Sequence, residues 1–103
     1  MQAETKFKTK VLKELDKRKP KLWYTKIQQL AKRGDPDLIL CVNSLFIAWE
    51  LKVGKNVASD LQDYTLKKIC EAGGATAVVY PQDLHIHLAV IDELLKVEIN
   101  IGS

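Results

Sequence analysis

Apolar positions near the start of the chain recur at three- and four-residue spacing. Phe7, Val11, Leu12 and Leu15 fall on one side of a helix running from Glu4 to about Lys17. Pro20, after a basic run, marks its end. Lys21 to Ile27 carries Leu22, Trp23, Tyr24 and Ile27 and predicts a short strand, while Gln28 to Arg33 fits a loop or a helical turn. Gly34-Asp35-Pro36 is a turn signal. Two apolar runs follow, Leu38 to Val42 and Leu45 to Lys52, separated by the polar pair Asn43-Ser44. They predict a β-hairpin buried on both faces for most of its length. Gly54 ends the second run. Ser59, with Gln62 three residues on, has the form of a capping box opening a helix whose apolar face is Leu61, Thr65, Leu66, Ile69 and Cys70. Gly73-Gly74 is its exit. Ala75 to Tyr80 reads as a buried strand closed by Pro81. Leu84, Leu88, Ile91, Leu94 and Leu95 then predict a helix, although His85-Ile86-His87-Leu88 also alternates as a strand does. Val97 to Ser103 fits a short strand or a frayed end.

The predicted order is α-β-β-β-α-β-α: one α/β domain over residues 1–103, a mixed β-sheet flanked by helices. The unit from Leu45 to Tyr80 makes its two strands parallel, with a right-handed crossover, if they share a sheet.

The hairpin has a chemical consequence. If Asn43 and Ser44 alone form the loop, Val42 faces Leu45, Leu38 faces Trp49, and Asp37 faces Glu50, with Cβ atoms roughly 5 Å apart. Alternation places Lys52 on the same face as Glu50. Two facing carboxylates repel and destabilise a sheet unless a cation sits between them. Carboxylate oxygens suit Mg²⁺ or Mn²⁺, which bind substrate phosphates and activate water. Lys52 then supplies a positive charge for water or for a pentavalent phosphate. The pattern is that of phosphodiester hydrolysis. A lone Glu-x-Lys is common and usually just polar; the facing Asp37 and the preceding turn set this one apart.

Charge adds a partner. The 103 residues have a formal net charge of +3, but Lys and Arg are concentrated in residues 1–33 and acids in the rest. Such a basic segment suits phosphate contacts on a nucleic acid, and equally a solvated helix face. Lys26, Lys32 and Arg33, just before the turn, are candidate phosphate ligands. Trp23 and Tyr24 fit base stacking or, more simply, core packing, and Trp49 fits the core. Cys41 and Cys70 lie in apolar surroundings and predict reduced, packed thiols. His85 and His87 lack further ligands and read as surface residues. No apolar run is long enough for a transmembrane helix, and the start has no secretory pattern, so an intracellular, cytoplasmic protein is expected.

Gly34-Asp35-Pro36-Asp37-Leu38-Ile39-Leu40 followed by Trp49-Glu50-Leu51-Lys52 resembles the PD-(D/E)XK nuclease superfamily. The details look most like the VRR-NUC (virus-type replication-repair nuclease) domains, with a Gly-x-Pro-Asp motif, a Glu-Leu-Lys motif, and a Gln opening a helix that ends near Gly. Gln62 and Gly73 stand in those last places. The resemblance covers about Glu4 to Tyr80. It implies a restriction-endonuclease-like fold, Mg²⁺ or Mn²⁺ as cofactor, and DNA as substrate. It further implies homodimers acting on branched DNA such as Holliday junctions. It gives Asp37 and Glu50 the metal-ligand roles, Lys52 the catalytic lysine role, and Gln62 a place in the active site. It also implies an acidic ligand on the first helix, for which Glu4 fits best and Glu14 is the rival. Asp35 departs from the apolar residue many relatives have there, and nothing after Tyr80 matches. The competing expectations are a non-catalytic nucleic-acid-binding module and a subunit of a DNA-processing complex that docks through its apolar C-terminal segment.

Overall fold

The computed structural model describes residues 2–28 and 34–97. Helix α1 (Ala3–Asp16) leads into β1 (Leu22–Lys26), β2 (Leu38–Val42) and β3 (Leu45–Leu51). Helix α2 (Asp60–Glu71), β4 (Ala75–Val79), a 3₁₀ turn at Pro81–Asp83 and α3 (Leu84–Lys96) complete the chain. The order agrees with the pattern read from the sequence. The strands form one sheet in the order β1-β2-β3-β4, antiparallel except for the parallel β3–β4 pair.

The Asn43-Ser44 turn holds both residues at positive φ, +52° and +75°. That is the backbone of a two-residue turn matching the strand twist. It fixes the predicted register: Val42 pairs with Leu45 and Leu38 with Trp49. Asn43 also donates from Nδ2 to the carbonyls of Leu94 (2.8 Å) and Val97, tying the hairpin to the end of α3.

One face of the sheet builds the core. Leu22, Leu38, Leu40, Val42, Ile47, Trp49 and Val79 pack with Phe7, Val11 and Leu15 of α1 and Leu84, Leu88 and Ile91 of α3. Arg18 clamps the same layer from outside, donating Nε and Nη2 to the two Asp92 carboxylate oxygens at 2.7 and 3.1 Å.

The other face is covered only in part, which corrects the expectation of a doubly buried hairpin. Helix α2 packs against β3 and β4 and leaves β1 and β2 open. Trp23, Cys41 and Phe46 form one cross-strand row on that face, and all three are exposed. Trp23 is therefore not a core residue, and Cys41 is not packed. Only β3, from Ile47 to Glu50, is buried on both sides. Cys70 is likewise an exposed free thiol, with Sγ 3.0 Å from Thr76 Oγ1. On α2 itself only Leu66 is fully buried, and Leu61 is exposed. His85 and His87 lie on α3 and not on a strand. His87 is half-buried, edge-on to Trp49 with ring centroids 6.0 Å apart. Tyr24 is half-buried and donates its hydroxyl to Asp16 at 2.7 Å. Among the described residues, no helix is long and apolar enough to cross a membrane.

Candidate metal and phosphate site

Three local devices aim the acidic residues. Gly34 sits at φ +89°, and a Cβ there would lie 2.5 Å from Leu61 Cγ of α2. Only glycine lets the turn press this closely on the helix. Pro36 is buried behind it. Asp37 then joins the sheet: its carbonyl accepts from the Ile27 N–H at 3.0 Å, and its Oδ2 accepts from the Leu51 N–H at 2.8 Å. A carboxylate held by the backbone of the neighbouring strand has a fixed direction.

Glu50 follows Trp49 on β3 and points to the opposite face, as alternation requires. It is 2% exposed, the one buried charged residue among those described. Its Oε2 has no hydrogen-bond partner, and its Oε1 lies 3.8 Å from Lys52 Nζ. Burial pushes the Glu50 carboxyl up to about 8. The adjacent Asp37 carboxylate adds to the rise, while Lys52 and Lys8 oppose it. Desolvation and a like charge both favour the protonated form, so the site is poorly matched to its own acids until a cation joins them.

The third device is α2. Ser59 Oγ accepts from the Gln62 N–H at 3.1 Å, and Gln62 Oε1 accepts from the Ser59 N–H at 2.8 Å. The capping box is formed as expected. It also commits the Gln62 carbonyl and leaves its Nε2 amide to offer elsewhere.

These groups meet in one cleft of about 370 Å³ at the end of the sheet, between the start of α1 and the start of α2. Glu4, Lys8, Asp37, Glu50, Lys52 and Gln62 line it, with Phe7, Leu51 and Val53 as apolar wall. Five of the sequence-derived candidates thus share one site. Glu4 reaches the cleft and Glu14 does not; Glu14 is held by Lys17 and Arg18, which keep its carboxyl below the usual range. Glu4 does not close into a three-carboxylate group with the pair, and no cluster of three or more His, Cys, Asp or Glu side chains occurs among the described residues. Lys26 is exposed and stands apart from the cleft, so it is not brought to the site. Lys32 and Arg33 lie outside the described residues.

Lys8 is the residue that sequence reasoning passed over. The signal was there: it sits one helical turn after Glu4, so both project toward the same side of α1.

The donor set fits a hard divalent cation. Asp37 and Glu50 offer carboxylate oxygens, one of them buried without a partner. An orphaned buried oxygen costs free energy that a cation would recover. No family model, curated protein or solved structure matches the chain.

Proposed function

We propose that this protein is a Mg²⁺- or Mn²⁺-dependent nuclease that hydrolyses phosphodiester bonds in DNA. The observation that carries the reading is the buried Glu50 carboxylate, unpartnered at Oε2, beside a backbone-anchored Asp37 and with Lys52 two residues on, just past the end of β3. Asp37 and Glu50 would hold the cation, with Glu4 at the cleft edge as a further oxygen donor. When bound, the cation activates water and neutralises charge on the phosphoryl oxygens.

The chain's own groups do the rest. Lys52 Nζ faces the same side as Glu50 and offsets charge gathering on the phosphoryl oxygens as water, losing a proton to solvent, adds to phosphorus and the bond to the departing deoxyribose oxygen breaks, that oxygen taking a proton from solvent. Gln62 Nε2 donates to a non-bridging oxygen from the rigid first turn of α2. Phe7, Leu51 and Val53 limit water on the apolar side of the cleft. The sequence resemblance supports branched DNA as the preferred substrate. Paired incision of a four-way junction needs two such sites, so the reading includes a homodimer, which sedimentation tests.

The deciding experiment incubates the protein with end-labelled four-way junction and matched linear duplex in Mg²⁺, Mn²⁺ or EDTA, alongside Lys52→Ala. Metal-dependent cutting that Lys52→Ala abolishes is the expected result. Protein that binds the junction but cuts neither DNA in either metal is a non-catalytic binding module, and the nuclease reading fails.

A further inference from the structure

We infer that Lys8 holds a backbone phosphate of the DNA on the α1 side of the cleft, opposite Lys52, and so makes the cation-loaded cleft net positive; the inference rests on the nuclease reading. Of the lysines on α1, Lys6, Lys10 and Lys13 line a separate depression together with Lys17 just past the helix end. Lys8 lines the cleft. Phe7 anchors the turn that carries it, at 5% exposure in the core. Lys8 is exposed, with no carboxylate at ion-pair distance among the described residues, so its ammonium group is available to a ligand.

The charge count makes its role specific. Glu4, Asp37 and Glu50 give the cleft three negative charges when ionised, and Lys8 and Lys52 give two positive ones. With all three acids ionised, as a bound cation requires, the sum is −1, which favours a divalent cation. With the cation bound the sum is +1, which attracts the phosphodiester. Without Lys8 the two sums become −2 and 0: the cation is held more tightly and the attraction for phosphate is lost. Lys8 thus trades metal affinity for substrate affinity.

The test uses Lys8→Gln in full-length protein, in wild-type and Lys52→Ala backgrounds, with Lys10→Gln as the outer-face control. Binding of a labelled four-way junction in Mn²⁺ is followed across a salt series in the Lys52→Ala background, and Mn²⁺ affinity without DNA by calorimetry. Losing one phosphate contact lowers the salt slope by roughly 0.9 and weakens binding about eightfold at 0.1 M salt. Mn²⁺ binding tightens in Lys8→Gln and is unchanged in Lys10→Gln. Lower junction affinity with looser Mn²⁺ binding would mean a damaged cleft and overturn the inference. So would a salt slope that Lys8→Gln leaves unchanged while the wild-type protein cuts DNA, which leaves the nuclease reading standing. Wild-type protein that binds no Mn²⁺ overturns both.

Discussion

Replacing Glu50 by glutamine separates the stability of the protein from its chemistry. Glu50 is buried at 2% exposure, beside Asp37, with Oε2 unpartnered. Its carboxyl titrates near 8 in the folded chain against an ordinary 4.5. Between those values the folded state keeps a proton that the unfolded state has released. Stability therefore falls as pH rises through that window, at about 1.4 kcal/mol per pH unit. By pH 7 the loss reaches about 3 kcal/mol. Glutamine has the same shape and no charge, and its amide can donate toward Asp37 as the protonated acid does. The expected result in EDTA is that Glu50→Gln and wild type unfold alike near pH 4, and that the variant is the more stable by about 3 kcal/mol at pH 7. In a domain of this size that is a rise in melting temperature of roughly 10–20 °C. Saturating Mn²⁺ reverses the order, because binding to the folded state stabilises wild type alone. Urea or thermal unfolding from pH 4 to 8.5, with EDTA and with Mn²⁺, reads all of this. A gap that does not change with pH, or a variant less stable than wild type at pH 8 in EDTA, would refute the reasoning.

Gly34→Ala places a methyl group against Leu61 and forces a positive φ on alanine, costing roughly 1–2 kcal/mol from the backbone alone. DNA cutting falls with it, because the turn aims Asp37, and a second change, Leu61→Ala, restores only the steric part in urea unfolding. Ser59→Ala removes the hydroxyl that accepts from Gln62 and lowers stability by about 1 kcal/mol. Thermal unfolding measures that loss, and an unchanged melting temperature would mean the cap carries nothing. Ser44→Gly relieves φ +75° in the hairpin turn and raises stability by about 0.5 kcal/mol in chemical denaturation.

The hairpin was readable because its signal is arithmetical. A two-residue loop between two apolar runs leaves one register, and that register aligns Asp37 with Glu50 and sets Lys52 beside them. The capping box was readable for a similar reason: its two hydrogen bonds lie within four residues. What the sequence could not supply was coverage. An apolar run such as Leu38 to Val42 looks the same whether one helix or two pack on it. Among the described residues one short helix covers the second face, packing on β3 and β4, and Trp23, Cys41 and Phe46 remain exposed. The His85–His87 ambiguity had a different origin: four residues of alternation cannot outweigh the longer helical period of Leu84, Leu88 and Ile91, which are the buried positions. Lys8 was passed over because it is one of many lysines on a basic helix, set apart only by Glu4 one turn before it. Its meaning comes from where α1 docks.

That docking divides the labour within the cleft. The two acids stand on the sheet, one fixed by the Leu51 N–H and the other by burial between elements. A small error in their positions would destroy a shared cation site, and neighbouring strands are the most rigid support available. Two of the groups proposed to meet DNA, Lys8 and Gln62, come from the first two turns of α1 and the first turn of α2, where a long or partly free side chain can follow a bent or branched backbone. Glu50 shows what this arrangement costs. Burial and the neighbouring Asp37 carboxylate push its carboxyl up, so keeping an acid there costs stability as pH rises toward neutrality. A purely structural strand would be better served by glutamine or an apolar residue at that position. On the proposed reading the carboxylate is there for a cation that would make its burial favourable, and the protein would then be at its most stable with Mn²⁺ or Mg²⁺ bound.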